Sequence, residues 1–278
     1  MGWVYYNLAE WEKALDMFAQ VIRYSTTSLE ENKDNKITLK REATKDFVMA
    51  YSMLENIKKV KDVFMEVGGA ENYPRMIDSL GNLLFDQGKD RQALIVFDII
   101  ITDNPESPKA PLYQAKRVES YHRMGDKRKA VEESRKLVEV LQAFERTVPK
   151  KADDAGKDAK TVEKHKELRK ALKQAKTLAE TKIRELATLY HNEAKKTNTQ
   201  ATFSMAHELY GDYLTLFPNA KDSYTIRFYY AELLFKLTKW ERDGDEYTKV
   251  FTLDPKGKFA KDASHSAELE LKEASKQE

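Results

Sequence analysis

The stretch that decides the fold is IDSLGNLLFDQGKDRQALIVF, residues 77–97. Apolar residues recur at helical spacing on both sides of Gly88, whose backbone freedom suits a tight turn between two helices. Gly81 lets these helices approach closely, and Ala93 is small where the second helix crosses the first. Phe97 lies one turn after Ala93 on the same face, and Pro105 ends the second helix. The stretch therefore predicts a helix–turn–helix hairpin.

The same spacing recurs along the chain. The position taken by Ala93 has counterparts at Ala14, Val60, Ala130, Ala206 and Asp243-Gly244. Successive intervals of 33 and 37 residues are close to one repeat length. The first interval, of 46 residues, predicts an insertion at the polar residues 25–37, which we interpret as a loop. The interval of 76 residues predicts a larger insertion between positions 130 and 206.

This pattern resembles the tetratricopeptide repeat, a motif of about 34 residues with a Leu-Gly pair, an Ala-x-x-x-Phe step and a closing Pro. The resemblance implies an all-α fold: a right-handed superhelical solenoid of helix-turn-helix repeats, here with an inserted helical arm. We expect one solenoid over residues 1–278. Its repeats are predicted at about 1–30 (truncated), 40–72, 74–107, 111–148, 180–219 and 224–256, with an insertion at about 149–178 and a capping helix at 258–275.

The larger insertion has a distinctive composition. It opens with PKKADDAGKDAK, residues 149–160, which is rich in residues that break helices. Helical periodicity then runs from Thr161 to about Lys196, so we predict a two-helix arm that is only partly buried. Residues 150–176 carry ten basic and five acidic side chains. This excess suits a docking site for an acidic partner or membrane headgroups, but a solvated helix face with internal ion pairs is the commoner explanation.

Charge and composition exclude several classes of function. The 48 basic and 46 acidic residues leave a net charge of +2, which does not suit a nucleic-acid-binding protein. The chain has no cysteine, so disulfides, thiolate nucleophiles and cysteine-based metal sites are excluded. Its five histidines form no H-E-x-x-H spacing, and Gly68-Gly69 is interpreted as a turn between repeats rather than a phosphate-binding loop. We therefore expect a protein that is not an enzyme, with no catalytic residue, metal or cofactor.

In stacked helix pairs the first helices line a concave groove that is free to hold a partner. We predict that this groove binds a peptide or another protein. The candidate contacts are Trp3, Tyr6, Lys45, Met49, Met53, Asn82, Phe85, His122, Arg123, His191, Phe228 and Phe235. Aromatic and Met side chains suit such a groove, although the same residue types also pack between repeats. Lys45 and Asn82 only loosely resemble the two-carboxylate clamp of this superfamily, because Met49 stands where Asn is expected.

A narrower resemblance lies near the C-terminus. KWER at 239–242, YTKV at 247–250 and LDPKGKFAKDA at 253–263 are similar to tetratricopeptide proteins of the Gram-negative envelope. The resemblance implies a periplasmic or envelope scaffold, with a cytoplasmic location as the alternative. No apolar run approaches the ~20 residues that span a bilayer. Residues 1–6 enter the helical pattern without a cap, so we expect the chain to begin inside a repeat, with any targeting signal upstream.

Two functions from different classes remain open. The first is a scaffold or adaptor of a cell-envelope complex that binds a partner protein in the groove. The second is a recruiting or regulatory domain of a larger enzyme or secretion component whose chemistry lies upstream. Self-assembly into a larger complex through the N-terminal face is a further possibility.

Overall fold

The computed structural model describes residues 1–27, 33–237 and 240–274, without the side chains of 26–36, 238–244 and 269–278. Every regular element in these described ranges is helical, which confirms the predicted all-α fold. The helices are α1 (Gly2–Asn7), α2 (Trp11–Thr27), α3 (Lys33–Tyr51), α4 (Val60–Asp86), α5 (Asp90–Asp103), α6 (Ala110–Arg123), α7 (Lys127–Thr147), α8 (Ala159–Thr197), α9 (Gln200–Leu216), α10 (Ser223–Lys236), α11 (Trp240–Leu253) and α12 (Ala260–Ala274). A short 3-10 helix, η1 (Lys151–Asp154), lies between α7 and α8.

The chain divides into two compact units, Met1–Asp126 (unit 1) and Lys127–Glu278 (unit 2). Unit 1 contains α1 to α6 and unit 2 contains α7 to α12. Within each unit, helices that are consecutive in the chain pack on one another. The core of each unit is therefore built from a series of interfaces between neighbouring helices, as in tetratricopeptide-type repeats.

The hairpin at residues 77–97 has the predicted form. Gly88 lies in the turn between α4 and α5 with a φ of 70°, a conformation that glycine adopts without strain. A Cβ atom added at Gly81 would lie 2.9 Å from Cε1 of Phe97, so the close approach of the two helices depends on glycine there. Ala93 and Phe97 are fully buried.

The small positions predicted from the repeat share this burial. The four that can be assessed are Ala14, Val60, Ala130 and Ala206, and each is fully buried. The fifth, at Asp243-Gly244, belongs to the side chains that lie outside the described residues. Small residues thus occupy the interior of both units, where helices need room to cross.

Helix α4 is interrupted at Gly69, whose φ of 68° and ψ of 171° are not helical. The break separates residues 60–68 from residues 70–86, and the predicted turn at Gly68-Gly69 falls at this point. The two segments are joined by this one residue instead of a loop. The helical stretch that ends one hairpin therefore leads directly into the helix that opens the next.

The interpretation of residues 25–37 as a loop is wrong at both ends. Helix α2 continues to Thr27 and α3 begins at Lys33, while residues 28–32 lie outside the described ranges. The polar composition of the stretch predicts a loop, because polar residues are frequent in loops. The stretch also contains two Lys and two Glu, which are good helix formers, so polarity alone does not indicate a break.

The insertion predicted at about 149–178 is continuous with unit 2. After α7 the chain forms η1 and then enters α8, a single helix of 39 residues. This helix has no boundary near residue 178, so the end of the insertion and the first helix of the next predicted repeat are parts of one element. The arm thus consists of a turn and the first half of a long helix.

Ionic and aromatic contacts hold the helices of unit 2 together. On α7, Arg128 pairs with Glu208 of α9 at 2.6 Å and Arg135 pairs with Asp212 at 2.7 Å. Near the C-terminus, Phe228 of α10 stacks on Phe259 with ring centroids 4.3 Å apart. Helix α12 follows inside the span predicted for a capping helix, and its Ala263 is buried in this cluster.

Replacing Ala93 by Trp should lower the free energy of unfolding by roughly 1–3 kcal/mol, because a fully buried methyl position beside a helix crossing has no space for an indole. The matched control is Arg91→Trp, which introduces the same side chain at an exposed position of α5. Chemical denaturation followed by circular dichroism measures both changes. Equal stability of the two variants would show that position 93 does not lie at a packed crossing.

Candidate functional site

Nine of the twelve predicted groove residues lie in unit 1 and three lie in unit 2. The unit 1 face is defined here by the nine, together with the neighbours that hold them. The nine are Trp3 and Tyr6 on α1, Lys45 and Met49 on α3, Met53 just after α3, Asn82 and Phe85 on α4, and His122 and Arg123 on α6. The contacts described below fall into two groups, one at α1 and α3 and the other at α4 and α6.

The α4–α6 group is centred on the ring of Phe85, which is only 9% exposed and belongs to the core of unit 1, so its predicted role as an open groove contact is wrong, as it is for Phe228. The guanidinium carbon of Arg123 lies 3.9 Å from the ring centroid, and the ammonium nitrogen of Lys116 lies 4.7 Å from it. Both distances suit cation–π attraction. Arg123 is fixed in place because its Nε donates to Asp90 at 3.1 Å and its Nη2 donates to the carbonyl of Phe85 at 3.1 Å.

A polar network continues from this ring along α4. Asn82 donates to the carbonyl of Asp78 at 2.8 Å, and its own side-chain oxygen accepts from Lys116. The carboxylate of Asp78 accepts from the hydroxyl of Tyr113 and, at 2.9 Å, from Lys109. Burial raises the pKa of Asp78, but these hydrogen bonds outweigh it, so the pKa is lowered from its usual value and the group is ionised at neutral pH.

The α1–α3 group is anchored by Trp3. Its indole Nε1 donates to the carboxylate of Asp46 at 3.0 Å, and its ring meets that of Tyr6 edge to face with centroids 5.1 Å apart. Burial raises the pKa of Asp46, an effect that the hydrogen bond from Trp3 partly offsets. Lys45 donates to Glu42 at 3.0 Å, so its ammonium group is already engaged within α3.

Met49 and Met53 lie along α3 and its C-terminal end. The side chain of Met49 is 37% exposed, whereas Met53 is half-buried. Lys89, at the start of α5, donates to the carbonyl of Ser52 at 2.7 Å and lies 3.9 Å from the sulfur of Met53. These contacts hold the end of α3 against the α4–α5 turn and leave Met49 available to solvent.

On the unit 1 face, exposed apolar side chains therefore lie beside polar groups that already make hydrogen bonds to one another. Trp3 is 45% exposed and Met49 is similarly accessible, while the polar side chains around them are bonded to one another. Among the residues that the structure describes, no three His, Asp or Glu side chains come together as a metal site. The arrangement suits binding by apolar contact, with charged groups at its α6 edge.

Two of the three predicted residues in unit 2 are buried. His191 is 4% exposed, its Nδ1 lies 3.2 Å from the hydroxyl of Tyr210, and its ring packs edge to face on that tyrosine. Phe228 is also buried, against Phe259. These side chains pack between helices, so their placement in a groove is wrong. Phe235 is the exception, because more than half of its side chain is exposed.

The sequence analysis does not find the hydrogen-bond network to which Lys116 and Asp78 belong. Both residues lie on first helices of predicted hairpins, but their side chains point along the seam between α4 and α6. Their partners, Asn82 and Tyr113, are 34 and 35 residues away. That separation equals about one repeat, so pairing residues one repeat apart would have found them.

In the comparison with known families, the tetratricopeptide repeat model matches residues 1–28 of this chain. The matched region contains α1 and α2, and thus Trp3 and Tyr6 of the unit 1 face. Comparison with the curated proteins gave no match. Repeats of this family generally mediate contacts between proteins and are not themselves catalytic. No helix in the described residues is long and apolar enough to cross a membrane.

The burial of His191 predicts a pH dependence of stability. Burial, helped by the charge of Lys195, lowers the pKa of His191 from 6.5 to about 4. The unfolded chain then binds more protons than the folded one between these values, so stability is fully present above pH 6.5 and falls as pH drops toward 4. The loss would reach about 3 kcal/mol once both states are protonated.

His191→Gln should remove most of this dependence, because glutamine carries no titrating group. The matched control is His265→Gln, at an exposed position of α12. Urea unfolding of the three proteins at several pH values between about 4 and 7 makes the comparison. Parallel stability profiles for the original protein and His191→Gln would contradict the assignment.

Proposed function

We propose that this protein binds a segment of another protein along the unit 1 face and catalyses no reaction. The observation that carries the proposal is that the apolar side chains of Trp3 and Met49 are exposed, while the polar side chains near them are held by hydrogen bonds. The family match at residues 1–28 supports it, since such repeats act in protein–protein recognition.

The face has the physical character of a preformed binding surface. Trp3 is held by Asp46, and the ring of Phe85 is held between Lys116 and Arg123. Side chains that are already ordered lose little conformational entropy when a partner arrives, so more of the contact energy remains as affinity. Met49 adds a flexible apolar group that adapts to the shape of the partner.

The proposed partner segment is mainly apolar in its contacts. A clamp for two carboxylates would need free Lys and Asn side chains, but Lys45 is bonded to Glu42 and Asn82 is bonded to both Asp78 and Lys116. Binding a carboxylate there would first break these bonds. An apolar segment can instead cover Trp3 and Met49 without disturbing them, at a gain of about 25 cal/mol per Å² buried.

We also propose that the protein acts as a scaffold in a bacterial cell-envelope complex. The support is the similarity of residues 239–263 to envelope tetratricopeptide proteins. Part of that segment, Tyr247 and Phe259, packs in the cluster around Phe228, so these residues also have a structural role. Fractionation of the native cells tests the location: release with the periplasmic contents supports the envelope, whereas retention in the cytoplasm favours a recruiting domain of a larger cytoplasmic protein.

The binding proposal predicts that Met49→Glu raises the dissociation constant for the partner at least about tenfold, because the new carboxylate would lose its water against an apolar segment. The partner is first captured from the native organism with the unaltered protein as bait, and its dissociation constant is then measured by calorimetry. Circular dichroism verifies that the variant is folded.

The control is Ile95→Glu, which places the same charge on α5 at a position of nearly the same exposure, 39% against 37%. This control should change the dissociation constant less than about twofold. An equal loss in both variants, or no loss in either, would show that the partner does not use the unit 1 face.

A further inference from the structure

A groove of about 520 Å³ in unit 1 is lined by residues of α1, α2 and α3, and we call it the α2–α3 groove. Most of its lining is apolar. Helix α2 contributes Met17 and Val21, α3 contributes Leu39, and α1 contributes Trp3. Because Trp3 also belongs to the unit 1 face, a segment bound on that face can extend into this groove.

The charged side chains that line the α2–α3 groove are acidic. Within the described residues they are Glu42 and Asp46, one turn apart on α3. Arg41 and Lys45 lie about 140° and 100° around the helix from Asp46, at about 100° per residue, and do not line the groove. A larger groove of about 720 Å³ between α2 and α4 is lined by both signs, three acidic and four basic residues. The α2–α3 groove thus differs from it in presenting carboxylates alone.

The two carboxylates of the α2–α3 groove differ in their partners. Glu42 accepts from Lys45 at 3.0 Å, so its charge is already matched. Asp46 makes no ion pair within the described residues, and its one hydrogen bond there is from the indole of Trp3 to Oδ2 at 3.0 Å. Asp46 is also half-buried. Holding an unpaired carboxylate partly out of water costs free energy, and a cation placed beside it would offset that cost.

The same unit shows how a cation fits beside an aromatic ring and a carboxylate. The guanidinium carbon of Arg123 lies 3.9 Å from the ring centroid of Phe85, while its Nε donates to Asp90 at 3.1 Å. Trp3 and Asp46 supply a ring and a carboxylate in direct contact, and the indole is 45% exposed. No cation of the described part of the chain lies over this indole. The Trp3–Asp46 pair therefore has two of the three groups found around Phe85 and lacks the guanidinium.

We propose that the partner segment bound on the unit 1 face carries an arginine that pairs with Asp46 beside the indole of Trp3. This inference rests on the proposed function and adds the chemistry of the partner to it. Arginine fits better than lysine because its planar guanidinium stacks on an aromatic ring while its N–H groups bond a carboxylate. The residues next to the arginine are apolar, since Val21 and Leu39 line the rest of the groove.

The test uses the full chain and a fluorescein-labelled peptide of nine residues, with a central Arg flanked by Leu and Ala. A second peptide has Gln in place of the Arg. Fluorescence anisotropy at about 50 mM salt, with protein up to about 1 mM, measures both dissociation constants. The Arg peptide should bind at least about tenfold more tightly than the Gln peptide. No binding of the Arg peptide, or equal binding of the two, would overturn the proposal.

Asp46→Asn should reduce the preference for the Arg peptide to less than about threefold, because the variant loses the charge. An amide oxygen still accepts from Trp3, and circular dichroism verifies that the variant is folded. The matched control is Asp16→Asn, which removes the same charge from an exposed position of α2 outside this groove. The control should keep the preference within about twofold. Equal loss in both variants would contradict the proposal, since the attraction would then be diffuse.

Two other occupants give different results. Asp46-dependent binding to phosphatidylcholine vesicles that exceeds binding to the Arg peptide would assign the groove to a lipid headgroup and overturn the proposal. So would dimerisation of the original protein that is lost in Asp46→Asn. A captured partner that is weakened by Met49→Glu and unchanged by Asp46→Asn would also overturn it, yet would leave the proposed function standing.

Discussion

Helices in both units come together where one of them presents a small residue. At Gly81 there is no room for even a methyl group beside Phe97, and Ala93 on the opposing helix is fully buried. The same demand for space explains why Ala14 and Ala206 are fully buried in their own hairpins. Since interiors are close-packed, this one steric requirement determines where each pair of helices crosses and hence which faces are left outside.

This constraint is local in sequence, and for that reason the fold was predictable. The residues that define a hairpin, from Gly81 to Phe97, lie within one repeat, so their spacing is visible without coordinates. The helix bounds were less predictable. The polar composition of residues 25–37 predicts a loop, yet α2 and α3 extend into this stretch from both sides. Composition also predicts a boundary near residue 178, where α8 is continuous.

The candidate site was predictable only in part, because its geometry depends on pairs of residues from different repeats. Phe85 and Arg123 were predicted individually, but the way that Lys116 and Arg123 hold the ring depends on the packing of α6 on α4. His191 and Phe228 show the opposite failure. Their residue types suit a groove, yet in unit 2 those positions face Tyr210 and Phe259, which fill the space between helices.

The length of α8 has a mechanical consequence. A continuous helix of 39 residues extends about 58 Å and has no joint along it. Its first half carries exposed lysines such as Lys164, and its second half contributes Tyr190 and Ala194, which are fully buried in unit 2. Because the helix is continuous, a force applied near Lys164 also acts on the packed side chains around Tyr190. The stiffness of that packing therefore limits how far the first half of the helix can move.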